Sequence, residues 1–208
     1  MTFDQLAALK IVPVVAISTV NHASPLADAL EAGGLPVAEI TLRTDAGLKA
    51  IEALAARGNF AVGAGTVHSV KQAQQVADAG ATFVVSPGFN PKTVQWCLDH
   101  DMPVYPGVSS PTDLEMALEF GLQVVKFFPA EQIGGVPMLK ALQGPYADMR
   151  FIPTGGISIA NLNDYLALPS VVACGGSWMV KSDLINQGRF DEVQRLTAEA
   201  VSLSQQSR

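Results

Sequence analysis

Residues 122–131 have the sequence LQVVKFFPAE. Because β-branched and aromatic residues surround Lys126, this stretch predicts a β-strand. Side chains alternate between the two faces of a strand, so Lys126 shares a face with Val124 and Phe128. The ordinary explanation is a lysine whose long side chain carries its charge out to water. An ammonium group is costly to bury, however, and burial favours the neutral amine, which can attack a carbonyl carbon. We therefore interpret Lys126 as a reactive group.

Similar apolar runs recur along the chain, with helix-like segments between them. Strands are predicted over residues 11–17, 37–43, 60–65, 82–86, 103–106, 123–128, 151–154 and 171–175. Helices are predicted over residues 24–32, 46–56, 70–79, 91–98, 111–120, 135–142, 159–165 and 190–204. Eight strand-helix units predict an α/β fold, a (β/α)8 TIM barrel, as one domain over residues 1–208. The alternative is a doubly wound open sheet, but no GxGxxG motif follows the first strand.

Composition narrows the class of protein. The chain has 208 residues, of which 49% are hydrophobic and 15% charged, a balance typical of a folded domain. Its net charge is −6 and its basic residues are scattered, which argues against nucleic acid as a partner. No apolar run is long enough for a membrane span, and the N-terminus lacks the pattern of a signal peptide. We therefore expect a cytoplasmic protein with no membrane partner.

The cysteines and histidines do not predict a metal site. Cys97 and Cys174 are too few and too far apart for a zinc site or a disulfide framework, so we expect free thiols. The three histidines lack the short spacing of metal ligands, and we interpret them as surface or capping residues. No metal and no cofactor are expected.

Polar residues alternate along the second predicted strand. Glu39, Thr41 and Arg43 share one face, and Ile40 and Leu42 share the other. Helices cover the outside of a barrel, so the polar face should point into its interior. The alternatives are an exposed edge strand or a structural ion pair. We interpret Glu39 as a general acid and base beside Lys126, and Arg43 as a bidentate ligand for a carboxylate.

Glycine-rich turns follow several predicted strands. TGG at residues 154–156 and GGS at residues 175–177 follow the seventh and eighth strands, whose loops commonly form the phosphate site of a barrel. Glycine leaves backbone N–H groups open to an anion, so these turns predict phosphate binding. GAGT at residues 63–66 and SPG at residues 86–88 are weaker signals of close ligand approach. Plain tight turns are the alternative in each case.

Two longer motifs carry a family resemblance. KFFPAE at residues 126–131 and EITLRT at residues 39–44, with the glycine-rich turns in the same order, resemble the class I aldolases of the Entner–Doudoroff pathway. This family cleaves 2-keto-3-deoxy-6-phosphogluconate (KDPG) or 4-hydroxy-2-oxoglutarate (KHG). The resemblance covers essentially the whole chain. It implies a homotrimer that reversibly cleaves KDPG to pyruvate and glyceraldehyde 3-phosphate, and that also cleaves KHG to pyruvate and glyoxylate in some members.

The resemblance also implies roles for individual residues. Lys126 forms a Schiff base with the C2 keto group, and Glu39 moves protons through a water molecule. Phe128 packs beside the imine, and Thr154 meets the hydroxyl groups of the substrate. The pyruvyl carboxylate is bound by Arg43, Thr66 and Pro87, and the phosphate by Gly155, Gly156, Gly176 and Ser177.

One departure from the family concerns charge. Many relatives carry a basic residue after the first strand, where this chain has ISTV at residues 17–20. This leaves open how the anionic groups of the substrate are held and which epimer, gluconate or galactonate, is preferred. Two other functions also fit the residues: a phosphosugar epimerase or isomerase on the same barrel, and a non-catalytic barrel that binds phosphosugars.

Overall fold

Parallel strands alternate with helices in the computed structural model, which describes residues 3–206. The strands are β1 Ile11–Val15, β2 Val37–Thr41, β3 Ala61–Gly65, β4 Val84–Val85, β5 Val104–Tyr105, β6 Gly107–Val108, β7 Val124–Phe127, β8 Arg150–Pro153 and β9 Cys174–Gly176. The α-helices are α1 Phe3–Leu9, α2 Ala23–Ala32, α3 Gly47–Ala55, α4 Val70–Asp78, α5 Pro91–Asp99, α6 Pro111–Glu119, α7 Gly135–Gln143, α8 Leu162–Leu166, α9 Ser182–Asn186 and α10 Phe190–Ser204. Val20–His22 and Glu131–Ile133 form single 3-10 turns.

The predicted strands and helices are all present, with three differences in detail. The fifth strand is divided into β5 and β6 around Pro106, because proline has no N–H to donate to a neighbouring strand. The eighth strand lies at Cys174–Gly176 rather than at residues 171–175, and Val171 forms only an isolated bridge with Phe151. Helix α8 begins three residues late, because Ser158 N–H donates to Asn161 Oδ1 at 2.8 Å and closes a turn first. Helices α1 and α9 were not predicted.

The strands form two parallel sheets. One has the order β5-β4-β3-β2-β1-β9 and the other has the order β6-β7-β8. Pro106 lies between β5 and β6, and two isolated parallel bridges, Phe151–Val171 and Thr154–Gly175, connect β8 with the last strand and the residues before it. The strands thus form a curled parallel sheet, which confirms the α/β class that the sequence predicts.

Local sequence signals determine where the helices start and stop. The Asn90 side chain accepts hydrogen bonds from the N–H groups of Lys92 and Thr93 and caps α5. Ser110 and Asp113 form a capping box at the start of α6. Gly121 follows α6 with a φ of +70°, a conformation that favours glycine. Helices α5 and α6 therefore start within a few residues of the carboxyl ends of β4 and β6.

The strands and helices bury one continuous apolar cluster, to which Val15, Ile40, Val125 and Phe151 belong. Among the described residues, Glu39 and Lys126 are the only charged side chains in the buried class, with residue exposures of 4% and 6%. Charged groups are rarely buried in this way without a partner or a function. We call these two buried charged side chains the polar centre of the fold.

The remaining predictions concern cysteines, metals and membranes. Cys97 and Cys174 are buried free thiols, as predicted, and burial raises the pKa of Cys97 to about 11 and the pKa of Cys174 further. Within residues 3–206, no three or more His, Cys, Asp and Glu side chains are grouped so that they could hold a metal ion. In the same range, no helix is long and apolar enough to cross a membrane.

Candidate active site

The polar centre of the fold is the pair formed by Lys126 and Glu39. Lys126 lies in β7 and Glu39 in β2, so each of the two sheets contributes one partner. The Lys126 Nζ atom lies 3.7 Å from Glu39 Oε1 and 4.9 Å from the centroid of the Phe128 ring. An amine and a carboxylate at this separation can exchange protons through one bound water or through a reacting substrate.

This pair is poorly explained as a stabilising contact. The distance of 3.7 Å is too long for a direct hydrogen bond, and Glu39 Oε1 is buried without a hydrogen-bond partner among the described residues. A buried ion pair recovers its desolvation cost only when its geometry is good and its remaining polar atoms are satisfied. The arrangement is instead typical of a reactive site, where polar groups are held ready for a ligand.

Gly65 provides the space that Glu39 occupies. A Cβ atom at position 65 would lie 2.1 Å from Glu39 Oε1, closer than any real contact. Gly63, which pairs with Glu39 in the β2–β3 register, similarly makes room for the ring of Phe83. From the sequence, these glycines are expected to let a ligand approach the backbone. The structure shows that side chains of the protein fill the space beside them.

Hydrogen bonds fix Arg43 at the edge of the site. The Thr41 hydroxyl donates to the carbonyl oxygen of Val15 at 2.8 Å, which ties β2 to β1. Arg43 Nε then donates to Thr41 Oγ1 at 3.1 Å. Arg43 itself lies just beyond β2 and is exposed. Because only Nε is used in this bond, the terminal N–H groups of the guanidinium can still donate hydrogen bonds to an anion.

A cavity of about 350 Å³ opens above the Lys126–Glu39 pair at the carboxyl ends of the strands. All eleven residues predicted for the site line this cavity: Glu39, Arg43, Thr66, Pro87, Lys126, Phe128, Thr154, Gly155, Gly156, Gly176 and Ser177. Its lining also includes Val14, Thr41, His68, Ile157 and Gly175. The predicted residues are thus brought together, and their individual roles remain predictions.

Hydrogen bonds to its carbonyl groups fix the conformation of the TGG turn at residues 154–156. The carbonyl oxygens of Gly155 and Gly156 accept hydrogen bonds at 3.1 Å from Glu131 N–H and Asn161 Nδ2. Gly155 and Gly156 have φ angles of +99° and +79°, which favour glycine. A turn whose carbonyl oxygens are bound elsewhere can direct N–H groups toward an anion.

Five lining residues of the cavity were not predicted, and His68 is the titratable one among them. It was missed because the sequence favours a surface or capping role for it. It follows Thr66, whose φ of +63° is unusual for a β-branched residue and marks a strained turn at the end of β3. The backbone of His68 is held on both sides, by Gln72 Oε1 at 2.7 Å and by Asn90 Nδ2 at 3.1 Å. Its position two residues beyond a predicted site threonine was the available signal.

A second cavity, of about 10 Å³, lies below the pair and is lined on one side by Tyr105. This volume is close to the minimum that holds a single water molecule. Burial raises the pKa of Tyr105 to about 12, so its phenol stays protonated at neutral pH. Tyr105 therefore brings no negative charge near Lys126 at neutral pH.

Comparison with known proteins gives one consistent result. The family model described as "Aldolase: KDPG and KHG aldolase" matches residues 3–196. The 2-dehydro-3-deoxy-phosphogluconate aldolase of Haemophilus influenzae is 50% identical over 201 residues, which is 96% of this chain and 95% of the relative. The KHG/KDPG aldolase of Escherichia coli K12 is 45% identical over 192 residues, covering 92% of this chain and 90% of the relative.

Solved structures agree in fold. The KDPG aldolase of Legionella pneumophila, captured with pyruvate as a covalent carbinolamine, superimposes with a TM-score of 0.93 at 38% identity. The match covers 96% of this chain and 98% of that one. The 2-keto-3-deoxy-6-phosphogluconate aldolase of Zymomonas mobilis, solved with 3-phosphoglycerate, gives a TM-score of 0.91 at 38% identity, covering 97% and 95%.

The buried pair generates a prediction about stability. Lys126→Met leaves a buried carboxylate without its partner, and Glu39→Gln leaves a buried ammonium without its partner. We expect the double variant to be less destabilised than the sum of the two single variants, with a coupling energy of about 1–3 kcal/mol. Urea unfolding of the four proteins measures this energy. Strictly additive effects would show that the two charges do not interact.

Proposed function

The chain belongs to the KDPG and KHG aldolase family, and from this premise we propose that it is a class I aldolase acting through a Schiff base on Lys126. It reversibly cleaves 2-dehydro-3-deoxy-6-phosphogluconate to pyruvate and glyceraldehyde 3-phosphate. The observation that carries this function is the buried Lys126 amine facing Glu39 at 3.7 Å beneath the cavity. The names of the relatives point to the same activity.

The chemistry begins at the keto carbon of the substrate. The neutral Lys126 amine adds to C2, the nitrogen loses one proton and the keto oxygen gains one, which gives a carbinolamine. A second proton transfer releases that oxygen as water and leaves a protonated imine. Glu39 is the nearest carboxylate to Nζ and is placed to give and take these protons, directly or through one water molecule.

Carbon–carbon cleavage then follows from the imine. The C4 hydroxyl loses its proton to the base, the C3–C4 bond breaks, and its electron pair moves into the iminium group to form an enamine. The departing half leaves as glyceraldehyde 3-phosphate with a new carbonyl at C4. Protonation of the enamine at C3 and hydrolysis of the imine release pyruvate and regenerate the amine. The positive iminium takes up the developing charge, so the step needs no metal ion and no cofactor.

Binding of the substrate anions is the second part of the proposal. Arg43, Thr66 and Pro87 hold the pyruvyl carboxylate, with Arg43 fixed by its bond to Thr41. Phe128 packs beside the imine and Thr154 meets the substrate hydroxyls. The phosphate is bound by the turns that contain Gly155, Gly156, Gly176 and Ser177. Positive φ angles at the first two of these glycines support this assignment.

The same site accommodates a second substrate. 4-Hydroxy-2-oxoglutarate carries the same 2-keto carboxylate and 4-hydroxyl, so its cleavage to pyruvate and glyoxylate uses the same imine and the same proton transfers. The E. coli relative is named for both substrates. The epimerase and the non-catalytic binder, which the sequence left open, have no such support from the relatives.

We also propose that the two sheets close into one (β/α)8 barrel that forms a single domain over residues 1–208, of which residues 1–2 and 207–208 lie outside the described range. Two observations support closure. Residues 104–108 pair with β4 on one side of Pro106 and with β7 on the other. Isolated bridges join Phe151 of β8 to Val171 and join Thr154, which follows β8, to Gly175 of the last strand. A cytoplasmic location is part of the proposal, since a phosphorylated sugar acid does not cross a membrane unaided.

Trapping of the imine tests the central claim. Incubation with pyruvate and sodium borohydride should add one reduced pyruvyl group to the chain, located at Lys126 by peptide mass spectrometry. Lys126→Met should abolish both the adduct and KDPG cleavage, whereas Lys92→Met, which changes an exposed lysine, should preserve both. An adduct at another lysine, or none on folded protein, would exclude this mechanism.

The space beside Gly65 tests the role of Glu39. Gly65→Ala should push the carboxylate of Glu39 from its position and lower turnover by about 100-fold, a typical contribution of a general acid or base. Glu39→Gln should cause a similar loss, and the double variant should lose no more than either single variant. Steady-state kinetics with KDPG measure these losses. Gly144→Ala is the matched control, because a Cβ there meets its nearest neighbour at 3.6 Å. Unchanged turnover in Gly65→Ala would remove Glu39 from the proton path.

The proposed assembly is a homotrimer and rests on the resemblance to the family. Sedimentation equilibrium should then give a particle with three times the 21.8 kDa mass of the chain. A monomer at micromolar concentration would contradict this assembly without affecting the Schiff-base mechanism, whose reacting groups all lie in one chain.

A further inference from the structure

A third cavity adjoins the active site on the side of β9. It has a volume of about 380 Å³ and shares Val14, Arg43 and Ser177 with the active-site cavity. The residues that it adds include Lys181 and Asp183. Because Ser177 lines both cavities, an anion bound at Ser177 would lie at their boundary.

The backbone after β9 holds Lys181 in a defined place. Val180 N–H donates to the carbonyl oxygen of Ser177 at 3.1 Å, which closes a turn directly before Lys181. The carbonyl oxygen of Lys181 accepts hydrogen bonds from Leu184 at 3.0 Å and from Ile185 at 3.2 Å. The side chain of Lys181 is exposed, and its ammonium forms neither an ion pair nor a hydrogen bond with any residue of the described range. Its charge is therefore available to a ligand.

The proposed substrate needs one more cation than the active-site cavity supplies. Its carboxylate and its phosphate are both charged, while the lining of the cavity contains one lysine and one arginine, Lys126 and Arg43. Lys126 is consumed in the imine, and Arg43 is assigned to the carboxylate of the substrate. Residues 16–20, which follow β1, contain no lysine or arginine. Backbone N–H groups then remain for the phosphate, without a full positive charge.

We propose that Lys181 supplies this charge and determines the preference for phosphorylated substrates. This inference rests on the proposed aldolase function. A phosphate seated against Gly155, Gly156, Gly176 and Ser177 meets the Lys181 ammonium across the shared boundary of the two cavities. Asp183 lines the same cavity and opposes the phosphate, so the local field depends on both side chains. Lys181 acts on binding of the distant end of the substrate and takes no part in the reaction at C2.

The test compares phosphorylated and unphosphorylated substrates. Lys181→Ala should lower kcat/KM for KDPG by roughly fivefold to twentyfold, mainly through KM, as expected for a charge-assisted contact to phosphate. Cleavage of 2-keto-3-deoxygluconate, which lacks the phosphate, and exchange of the methyl protons of pyruvate should stay within about twofold of wild type. The dependence of kcat/KM on salt should also become shallower in the variant.

Two further variants test whether charge in the third cavity controls binding of the phosphate. Asp183→Asn should raise kcat/KM for KDPG by about twofold, because it removes an opposing charge from the same cavity. Lys92→Ala, a change at an exposed lysine that lines neither cavity, should have no effect.

The outcomes separate this inference from the function on which it depends. A wild-type protein that neither cleaves KDPG nor forms a borohydride adduct at Lys126 would overturn the proposed function itself. A wild-type protein that cleaves KDPG, with Lys181→Ala equal to it, would overturn only the role of Lys181. An equal loss on all substrates would likewise overturn it, since that pattern indicates general damage to the site.

Discussion

The burial of two opposite charges, Lys126 and Glu39, is the constraint on which the rest of the structure depends. Burying a charge in an apolar interior is costly, and here the two atoms are 3.7 Å apart, too far for the direct hydrogen bond that would offset the cost. Each partner comes from a different sheet, so the two sheets must face each other across the interior. The curled shape of the fold is what allows one lysine and one glutamate, 87 positions apart in the chain, to meet.

Small residues around this pair serve its geometry. Gly65 leaves the volume that the Glu39 carboxylate fills, and Gly175 leaves the volume that the Thr154 hydroxyl fills. A methyl group at either place would displace a polar atom by a large part of a bond length. The glycine-rich stretches therefore do more than form turns. They make room for the polar side chains of the site, and those side chains can in turn contact a ligand. Packing and chemistry are hard to separate in such a site, because protein interiors leave little free volume.

Much of the fold and site could be predicted from the chain because the signals are local. Period-two alternation predicted that Glu39 and Thr41 face the interior of the barrel, and both line the active-site cavity, whereas Ile40 between them does not. The predicted helix starts at residues 91 and 111 are confirmed, and Asn90 and Ser110 cap those two helices. The sequence also contains the reason for the division of the fifth strand, because Pro106 has no N–H group to donate to a neighbouring strand. His68 was missed, because its one sequence signal, the short distance to Thr66, does not distinguish a histidine on a cavity wall from one on the outer surface.

By itself, then, the sequence determined the order and type of the elements, the face on which each polar residue lies, and the set of side chains able to perform imine chemistry. These properties follow from the backbone geometry of short segments and from the functional groups that they carry. Only the tertiary structure decided the separation of Lys126 and Glu39, the presence of His68 on the cavity wall and the sharing of Ser177 between two cavities. Those depend on how strands distant in sequence curl and pack together. The physical reason is that distances between such strands are set by the combined volume of all the side chains between them, which no local pattern records.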